Sequence, residues 1–205
     1  MITAWPKTYT DRRPRLVLSA GAQEEGPLVL IIGVIGGQNG IDGEVLRMAR
    51  EVGRLIAERG AHLICGGMEG VMRAACQGAR EAGGVTIGVL PTSSKKDANE
   101  YVEIPVVTGM GTARNVVIVR TADALIAIDG KFGTLSEIAH ALDQGKKVVS
   151  LKSWPVEKMG IHKDLVIPVG SPEEAVGLAF EIAMGRATLE QQTTSSKRSR
   201  GRTRD

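Results

Sequence analysis

Four glycine-rich segments of this sequence contain the residue types that bind phosphate groups. We call them the first, second, third and fourth glycine turns; they comprise residues 33–40, 65–70, 108–112 and 129–134. Glycine lets the backbone approach an anion closely, and the N–H groups at the start of a following helix attract negative charge. A single turn of this kind often needs glycine for steric reasons alone. Four of them together predict a site for a phosphorylated small molecule.

The residues expected to contact this ligand lie in or directly after the glycine turns. They are Gly36, Gly37, Gly66, Gly67, Gly70, Gly109, Gly111, Thr112, Asn115, Gly130, Lys131, Gly133 and Thr134. Asn115 has a second interpretation, because its side chain is equally suited to satisfy a backbone group in its own helical turn.

Glu137 and Arg114 are the two residues that would carry catalysis if the chain is an enzyme. Glu137 follows Thr134 at the T-x-x-E spacing, which by itself predicts a capping box at the start of a helix. Arg114 falls in the first turn of its helix, where the helix dipole disfavours a cation. A phosphate or the Glu137 carboxylate nearby would reverse that preference, whereas an arginine pointing into water needs no partner. The sequence leaves these alternatives open.

Several well-known cofactor sites do not fit the sequence. The first turn reads Gly33-Val-Ile-Gly-Gly37, which is not G-x-G-x-x-G, and no ribose-binding acid ends the second strand. Gly145-Lys146 is followed by lysine and valine, so the G-x-x-x-x-G-K-[ST] motif is absent. His140, three residues after Glu137, has no second histidine or acid at a ligand spacing, and we predict no metal site.

Short apolar runs alternate with helical patterns along most of the chain, which is typical of strand–helix–strand units and a parallel sheet. The expected strands are residues 28–35, 61–65, 85–90, 104–107, 124–128, 147–151 and 165–169. The sequence therefore predicts an α/β fold, a Rossmann-like three-layer sandwich with a mostly parallel sheet and helices on both faces. Ligands of such sheets bind beyond the carboxyl ends of the strands, where the four glycine turns would lie.

Charge and composition divide the chain into three parts: an N-terminal extension (1–27), a ligand-binding domain (28–185) and a basic tail (186–205). The formal net charge is +3, but six Arg and Lys against two acids stand in the tail, so the domain itself is nearly neutral. Nucleic-acid binding is therefore expected only through the tail. The longest apolar run, residues 28–35, is too short to cross a bilayer, and no signal-peptide pattern is present. These features predict a cytoplasmic protein without membrane contact.

Two groups of motifs resemble a known superfamily. The segment Gly66-Gly-Met-Glu-Gly-Val-Met72 and the segment 84–91 resemble the Lonely Guy superfamily, long mislabelled as lysine decarboxylases. Residues 108–115 and 133–137 are closer to its molybdenum cofactor carrier subgroup. The resemblance covers residues 28–151.

The resemblance implies a Rossmann-like homodimer or larger homo-oligomer that binds a phosphorylated ligand. The hydrolase branch cleaves the N-glycosidic bond of nucleoside 5′-monophosphates and has the motif P-G-G-x-G-T-x-x-E, with an arginine on the preceding helix. Gly130, Gly133, Thr134 and Glu137 match this motif and Arg114 matches the arginine. Two residues depart from it, since Asp129 replaces the proline and Lys131 the second glycine.

The carrier branch binds a pterin cofactor through its phosphate and is similar in residues 109–115. We therefore expect this chain to bind a nucleotide or molybdopterin-type cofactor as a carrier or sensor, with no further cofactor required. The alternative is a nucleoside 5′-monophosphate phosphoribohydrolase acting on an AMP-like nucleotide. A second alternative is nucleic-acid binding through the basic tail.

Overall fold

Seven parallel strands form the centre of the molecule. The computed structural model describes residues 29–155 and 165–185, so the predicted extension and tail lie outside it. The strands are β1 (Ile31–Gly36), β2 (His62–Cys65), β3 (Thr86–Leu90), β4 (Ile104–Val107), β5 (Ala124–Ile128), β6 (Val148–Leu151) and β7 (Val166–Val169). Their order in the sheet is β4-β3-β2-β1-β5-β6-β7, and every neighbouring pair is parallel.

Helices cover both faces of the sheet, which confirms the predicted three-layer α/β sandwich. The helices are α1 (Gly43–Glu58), α2 (Val71–Glu81), α3 (Asn115–Thr121), α4 (Phe132–Asp143) and α5 (172–185). Apolar side chains of α1, α2 and α5 pack with Ile32 and Val34 on one face. Side chains of α3 and α4 pack with Ile35 on the other. Successive side chains of a strand point to opposite faces of the sheet, so one apolar strand packs against the helices of both layers.

The chain changes direction across the sheet between β1 and β5. Strands β1 to β4 progress toward one edge, whereas β5 to β7 progress from β1 toward the other. In open parallel sheets, the crevice at such a switch point, beyond the carboxyl ends of the strands, is where ligands bind. The first and fourth glycine turns follow β1 and β5 and therefore border that crevice.

A buried lysine holds α3, whose N-terminal end carries Arg114 and Asn115. Lys146 donates hydrogen bonds from Nζ to the carbonyl oxygens of Val119 (2.5 Å) and Ala122 (2.9 Å). These carbonyls lie at the C-terminal end of α3, where backbone acceptors lack helical partners and a cation is favoured by the helix dipole. The lysine thus fixes the short helix that presents Arg114 to the site.

Helices α1 and α2 cross at very short range through two glycines. A Cβ atom at Gly53 would overlap the carbonyl group of Ala75, 2.8 Å from its carbon, and one at Gly78 would lie 2.7 Å from the carbonyl carbon of Arg50. Both obstacles are backbone atoms, which do not rotate away. The close approach of the two helices therefore depends on glycine at both positions.

Replacing Gly53 by alanine is expected to lower the free energy of unfolding by about 2 kcal/mol, because the methyl group forces the two helices apart. Chemical denaturation measures this loss. Gly177→Ala on α5 is the matched control, since a Cβ there meets no described atom within 4 Å. That control should gain roughly 0.5–1 kcal/mol from better helix propensity. Equal stability of the two variants would contradict the packing described for α1 and α2.

Candidate functional site

The first glycine turn contacts both the second and the fourth. The N–H of Val71, at the start of α2, donates to the carbonyl oxygen of Gly37 at 2.9 Å. A Cβ atom at Gly37 would lie 3.1 Å from Oδ2 of Asp129. Three of the four turns therefore meet at the carboxyl ends of β1, β2 and β5.

The helical segment that follows the third turn joins the second turn to the fourth. The guanidinium of Arg114 lies against Gly66, since a Cβ atom there would be 2.6 Å from Nη1. Asn115 donates from Nδ2 to the carbonyl oxygen of Gly133 at 3.4 Å. Together with the contacts of Gly37, these contacts close a ring around the switch point of the sheet. We call this arrangement the turn ring.

Arg114 and Glu137 form a buried ion pair inside the turn ring. Nη1 of Arg114 lies 3.6 Å from Oε1 of Glu137, and the two side chains are 10% and 8% exposed. This separation is too long for a hydrogen bond. Nε of Arg114 has no hydrogen-bond partner among the described residues. The pair therefore keeps unused hydrogen-bonding capacity in a site shielded from water, which is costly unless a ligand supplies the partner.

Burial shifts the protonation of both members of the pair. Loss of solvent raises the pKa of Glu137 to about 7, although the positive charge of Arg114 counteracts part of that shift. Loss of solvent also lowers the pKa of Arg114, and the Glu137 charge opposes this. Glu137 is thus a carboxyl group that exchanges its proton near neutral pH, a property suited to general acid–base work.

This shift predicts how stability depends on pH. The folded state holds the Glu137 proton up to about pH 7, whereas the ordinary pKa is 4.5. Between these values the folded state binds more protons, so the contribution of Glu137 to stability falls as pH rises, by at most about 1.4 kcal/mol per pH unit. Denaturation of the wild type and of Glu137→Gln at pH 4.5, 6 and 7.5 measures the difference. A constant gap between the two proteins would contradict the burial of an ionisable Glu137.

Helix α4 begins without a side-chain cap. Lys131 precedes the helix, and its side chain makes no capping hydrogen bond within the described structure. The N–H groups of the first helical turn, which include those of Phe132, Gly133 and Thr134, have no intrahelical acceptors. The Lys131 Nζ lies 3.9 Å from the position that a Cβ would occupy at Gly40 in the first turn. The start of α4 is therefore suited to a phosphate, because unpaired amides, the helix dipole and an ammonium group lie together there.

The predicted capping box at the start of α4 is wrong. The helix begins at Phe132, so Thr134 and Glu137 lie inside it, and both side chains are buried. Thr134 packs against Gly130, where an added Cβ would lie 2.7 Å from its Cγ2. Glu137 faces Arg114 instead of the helix start. Arg114, in turn, does not point into water.

Asp129 gives the fourth turn a backbone geometry that proline does not allow. Its φ is +50°, in the left-handed region, and Gly130 follows with φ +118°. Proline holds φ near −65°, whereas aspartate is among the residues that most often adopt the left-handed region. The replacement of the motif proline by Asp129 therefore accompanies a different path of the backbone into α4.

Several predicted ligand residues have packing roles as well. An added Cβ at Gly36 would lie 2.7 Å from Cβ of Val71, one at Gly67 would lie 2.7 Å from Cδ2 of Leu90, and one at Gly70 would lie 2.8 Å from the Gln38 carbonyl carbon. These three glycines allow the turns to approach one another. Their contact with a ligand stays a prediction.

The third turn differs from the other three. The N–H of Gly109 donates to Thr92 O and that of Gly111 to Pro91 O, both at 2.9 Å. These amides are therefore already bonded to the segment after β3. Thr112 is exposed, and its contribution to ligand binding stays a prediction.

Asn99 also shapes the site, although the sequence gives it only a weak signal. Asn99 is buried and donates from Nδ2 to Met68 O at 2.8 Å, while its N–H donates to Gly67 O at 2.9 Å. It anchors the second turn from a loop distant in sequence. An asparagine in a polar loop is a weak signal, because asparagine is common in turns.

Cys65, at the end of β2, and Cys76, on α2, are both buried. The Sγ atoms of Cys65 and Cys76 are 3.4 Å apart, and both thiols are free. Within the described ranges, no cluster of three His, Cys, Asp or Glu is arranged to hold a metal ion. The helices in those ranges also include none with the length and apolar character of a membrane span.

Two similar proteins align with much of this chain. An uncharacterized protein of Archaeoglobus fulgidus is 49% identical over 147 residues, which are 71% of this chain and 91% of that protein. A cytokinin riboside 5′-monophosphate phosphoribohydrolase of Mycobacterium tuberculosis is 34% identical over 124 residues, covering 54% of this chain and 64% of the enzyme. The alignment therefore spans less than two thirds of that enzyme.

The solved structure of a molybdenum cofactor binding protein from Rippkaea orientalis has the same fold. It superposes with a TM-score of 0.71 at 36% identity, covering 77% of this chain and 99% of that protein. These similarities confirm the resemblance to the Lonely Guy superfamily and to its molybdenum cofactor carrier subgroup, and they support a ligand-binding or Lonely Guy-type role. A family model matches residues 29–176, nearly all of the described domain. The chain belongs to the SLOG cluster4 family.

Proposed function

We propose that this chain binds a phosphorylated small molecule, either a nucleotide or a molybdopterin-type cofactor, and acts as its carrier or sensor. The observation that carries the proposal is the uncapped start of α4 inside the turn ring, next to the partly unbonded guanidinium of Arg114. A phosphate there would accept hydrogen bonds from the first-turn amides and from Arg114. Such charge-assisted hydrogen bonds are roughly twice as strong as neutral ones.

The charges around the start of α4 favour an anionic ligand. Lys131 adds a cation near Gly40 of the first turn, and its charge balances that of Asp129 in the fourth turn. The molybdenum cofactor binding protein of Rippkaea orientalis offers one precedent for the ligand, and the mycobacterial phosphoribohydrolase offers another. Both classes of ligand carry a phosphate on a flat heterocyclic molecule.

The test is mass spectrometry of small molecules released from the purified full chain, together with titrations against a panel of nucleoside monophosphates and phosphorylated pterins. We expect at least one phosphorylated compound to co-purify or bind. A chain that releases none and binds none of the panel would overturn the proposal.

A second candidate function is hydrolysis of nucleoside 5′-monophosphates, and the Glu137–Arg114 pair favours it. In such a reaction water adds to C1′ of the ribose, the N-glycosidic bond breaks, and the base leaves with a proton. Glu137 would direct the water or stabilise the oxocarbenium-like sugar, as carboxylates do in glycoside cleavage. Arg114 would orient that carboxylate. The different backbone at Asp129 is the reason we place this function second.

Base release from AMP distinguishes an enzyme from a carrier. A hydrolase releases adenine in the wild type, and Glu137→Gln abolishes the release while circular dichroism shows an unchanged fold. Wild-type protein that binds AMP without releasing adenine is a binding protein for that ligand.

Assembly into a homodimer or larger homo-oligomer is also part of the proposal. It is supported by the edge strand β4, where Ile104, Val106 and Val107 are between 38% and 46% exposed. Large apolar side chains at an exposed sheet edge are typical of a contact surface.

A further inference from the structure

Two aromatic side chains lie together at the outer edge of the turn ring. Phe132 is 81% exposed, and its ring centroid is 6.1 Å from that of Trp154, with 33° between the ring planes. The sequence has two Phe and two Trp. Phe180 is buried in the core and Trp154 packs partly against it, whereas the ring of Phe132 is left almost entirely in solvent. Phe132 therefore does not serve the packing of the core.

Hydrogen bonds fix the pair beside the fourth turn. Trp154 donates from Nε1 to Lys131 O at 3.2 Å, and the neighbouring Ser153 donates from Oγ to Asp129 O at 2.5 Å. The segment after β6 is thereby attached to the turn that leads into α4. The indole ring has a defined position relative to the helix start.

Phe132 can contact both the phosphate and the ring of the ligand. Its backbone belongs to the first turn of α4, where we place the phosphate, while its ring faces outward. A nucleoside monophosphate or pterin monophosphate carries a phosphate and a flat heteroaromatic ring separated by a few bonds. The start of α4 thus offers one contact for each of these two parts of the ligand.

We propose that Phe132, supported by Trp154, is the platform on which the heteroaromatic ring of the ligand stacks. The inference rests on the proposed function and adds a residue that selects ring-bearing phosphates over plain sugar phosphates. Stacking of a base on an aromatic side chain strengthens binding by roughly tenfold or more. Lys131, whose Nζ lies near Gly40 of the first turn, adds a cation near the ligand.

The experiment uses Trp154 as the reporter. A Trp5→Phe background leaves Trp154 as the single tryptophan of the full chain, and its fluorescence is titrated with AMP, a pterin monophosphate and ribose 5-phosphate. The variants are Phe132→Ala, Phe132→Tyr and, as a control on another helix, Met184→Ala. Calorimetry gives the affinities independently, and light scattering gives the molecular mass of each variant.

We expect Phe132→Ala to lower the affinity for the ring-bearing ligand by about tenfold and to leave the affinity for ribose 5-phosphate unchanged. Phe132→Tyr and Met184→Ala should bind both ligands like the wild type. If Phe132→Ala lost equal affinity for ring-bearing and ring-free phosphates, or lost none, the proposed stacking on Phe132 would be wrong. A change of molecular mass in Phe132→Ala with unaltered ligand affinity would also overturn it, because Phe132 would then be a subunit contact. If no phosphorylated compound, ribose 5-phosphate included, binds the wild type, the proposed function itself fails.

Discussion

Gly66→Ala is expected to weaken the binding of a phosphorylated ligand by at least a hundredfold while the protein still folds. An added Cβ would lie 2.6 Å from Nη1 of Arg114 and 2.6 Å from Sδ of Met72, with Nη2 closer still. The long side chains can move, so the fold tolerates the methyl group at a cost of about 1–3 kcal/mol. The guanidinium, however, leaves the position from which it reaches the ligand. Two lost charge-assisted hydrogen bonds correspond to roughly a hundredfold in affinity.

Calorimetric titration with AMP and with a pterin monophosphate measures this effect. Gly177→Ala is the matched control, because it makes the same substitution on α5 without meeting a described atom within 4 Å. Its affinity should equal that of the wild type. If Gly66→Ala retained full affinity, the guanidinium of Arg114 would have no part in binding the ligand.

The two charges of the buried pair should have unequal effects on stability. Glu137→Leu is expected to cost about 3–5 kcal/mol at pH 8, because it leaves Arg114 charged, buried and without its counter-ion. Arg114→Met is expected to cost less, since Glu137 can take up a proton and become neutral, whereas a guanidinium cannot lose one in proteins. The side chains of the pair are only 10% and 8% exposed, so solvent screens little of this difference.

The double variant Arg114→Met/Glu137→Leu decides whether the pair exists for stability or for function. Replacing a buried ion pair by apolar side chains of similar size is often neutral or stabilising. We expect the double variant to be at least as stable as the wild type in urea denaturation and to have lost ligand binding. A double variant less stable than both single variants would mean that the pair is mainly structural.

The sequence predicted the convergence of the turns because parallel strands end at one edge of a sheet. Once the alternation of strands and helices was recognised, the first, second and fourth turns had to lie on that edge. The ring itself was not predictable. It depends on close approaches such as Gly37 to Asp129 and Gly66 to Arg114, which follow from the strand order and from the angles of α2, α3 and α4.

Two similar cap patterns show where local reasoning succeeds and fails. Ser171 lies three residues before Glu174, and its Oγ accepts the N–H of Glu174 at 3.2 Å, so a local cap forms at the start of α5. Thr134 and Glu137 have the same spacing, yet both lie inside α4. At the second site, packing of Thr134 on Gly130 and burial of Glu137 beside Arg114 replaced the local preference. A pattern that accounts for two residues locally does not exclude a tertiary role.

The aromatic pair had no signal in the sequence. Trp154 follows β6, and its contact with Phe132 arises only because β6 lies next to β5 in the sheet. The order of strands places the end of β6 beside the fourth turn. Phe132 stands within the fourth glycine turn, but its exposure is visible only in the structure.

The most direct test of the account is to locate the phosphate on the protein by a ¹H–¹⁵N NMR titration of the ¹⁵N-labelled chain. AMP and a pterin monophosphate are added to separate samples. We expect one of them to shift the amide resonances of Phe132, Gly133 and Thr134 most strongly, together with the side-chain Nε–H of Arg114. Shifts confined to other parts of the chain, or no shift with either ligand, would contradict a phosphate site at the start of α4.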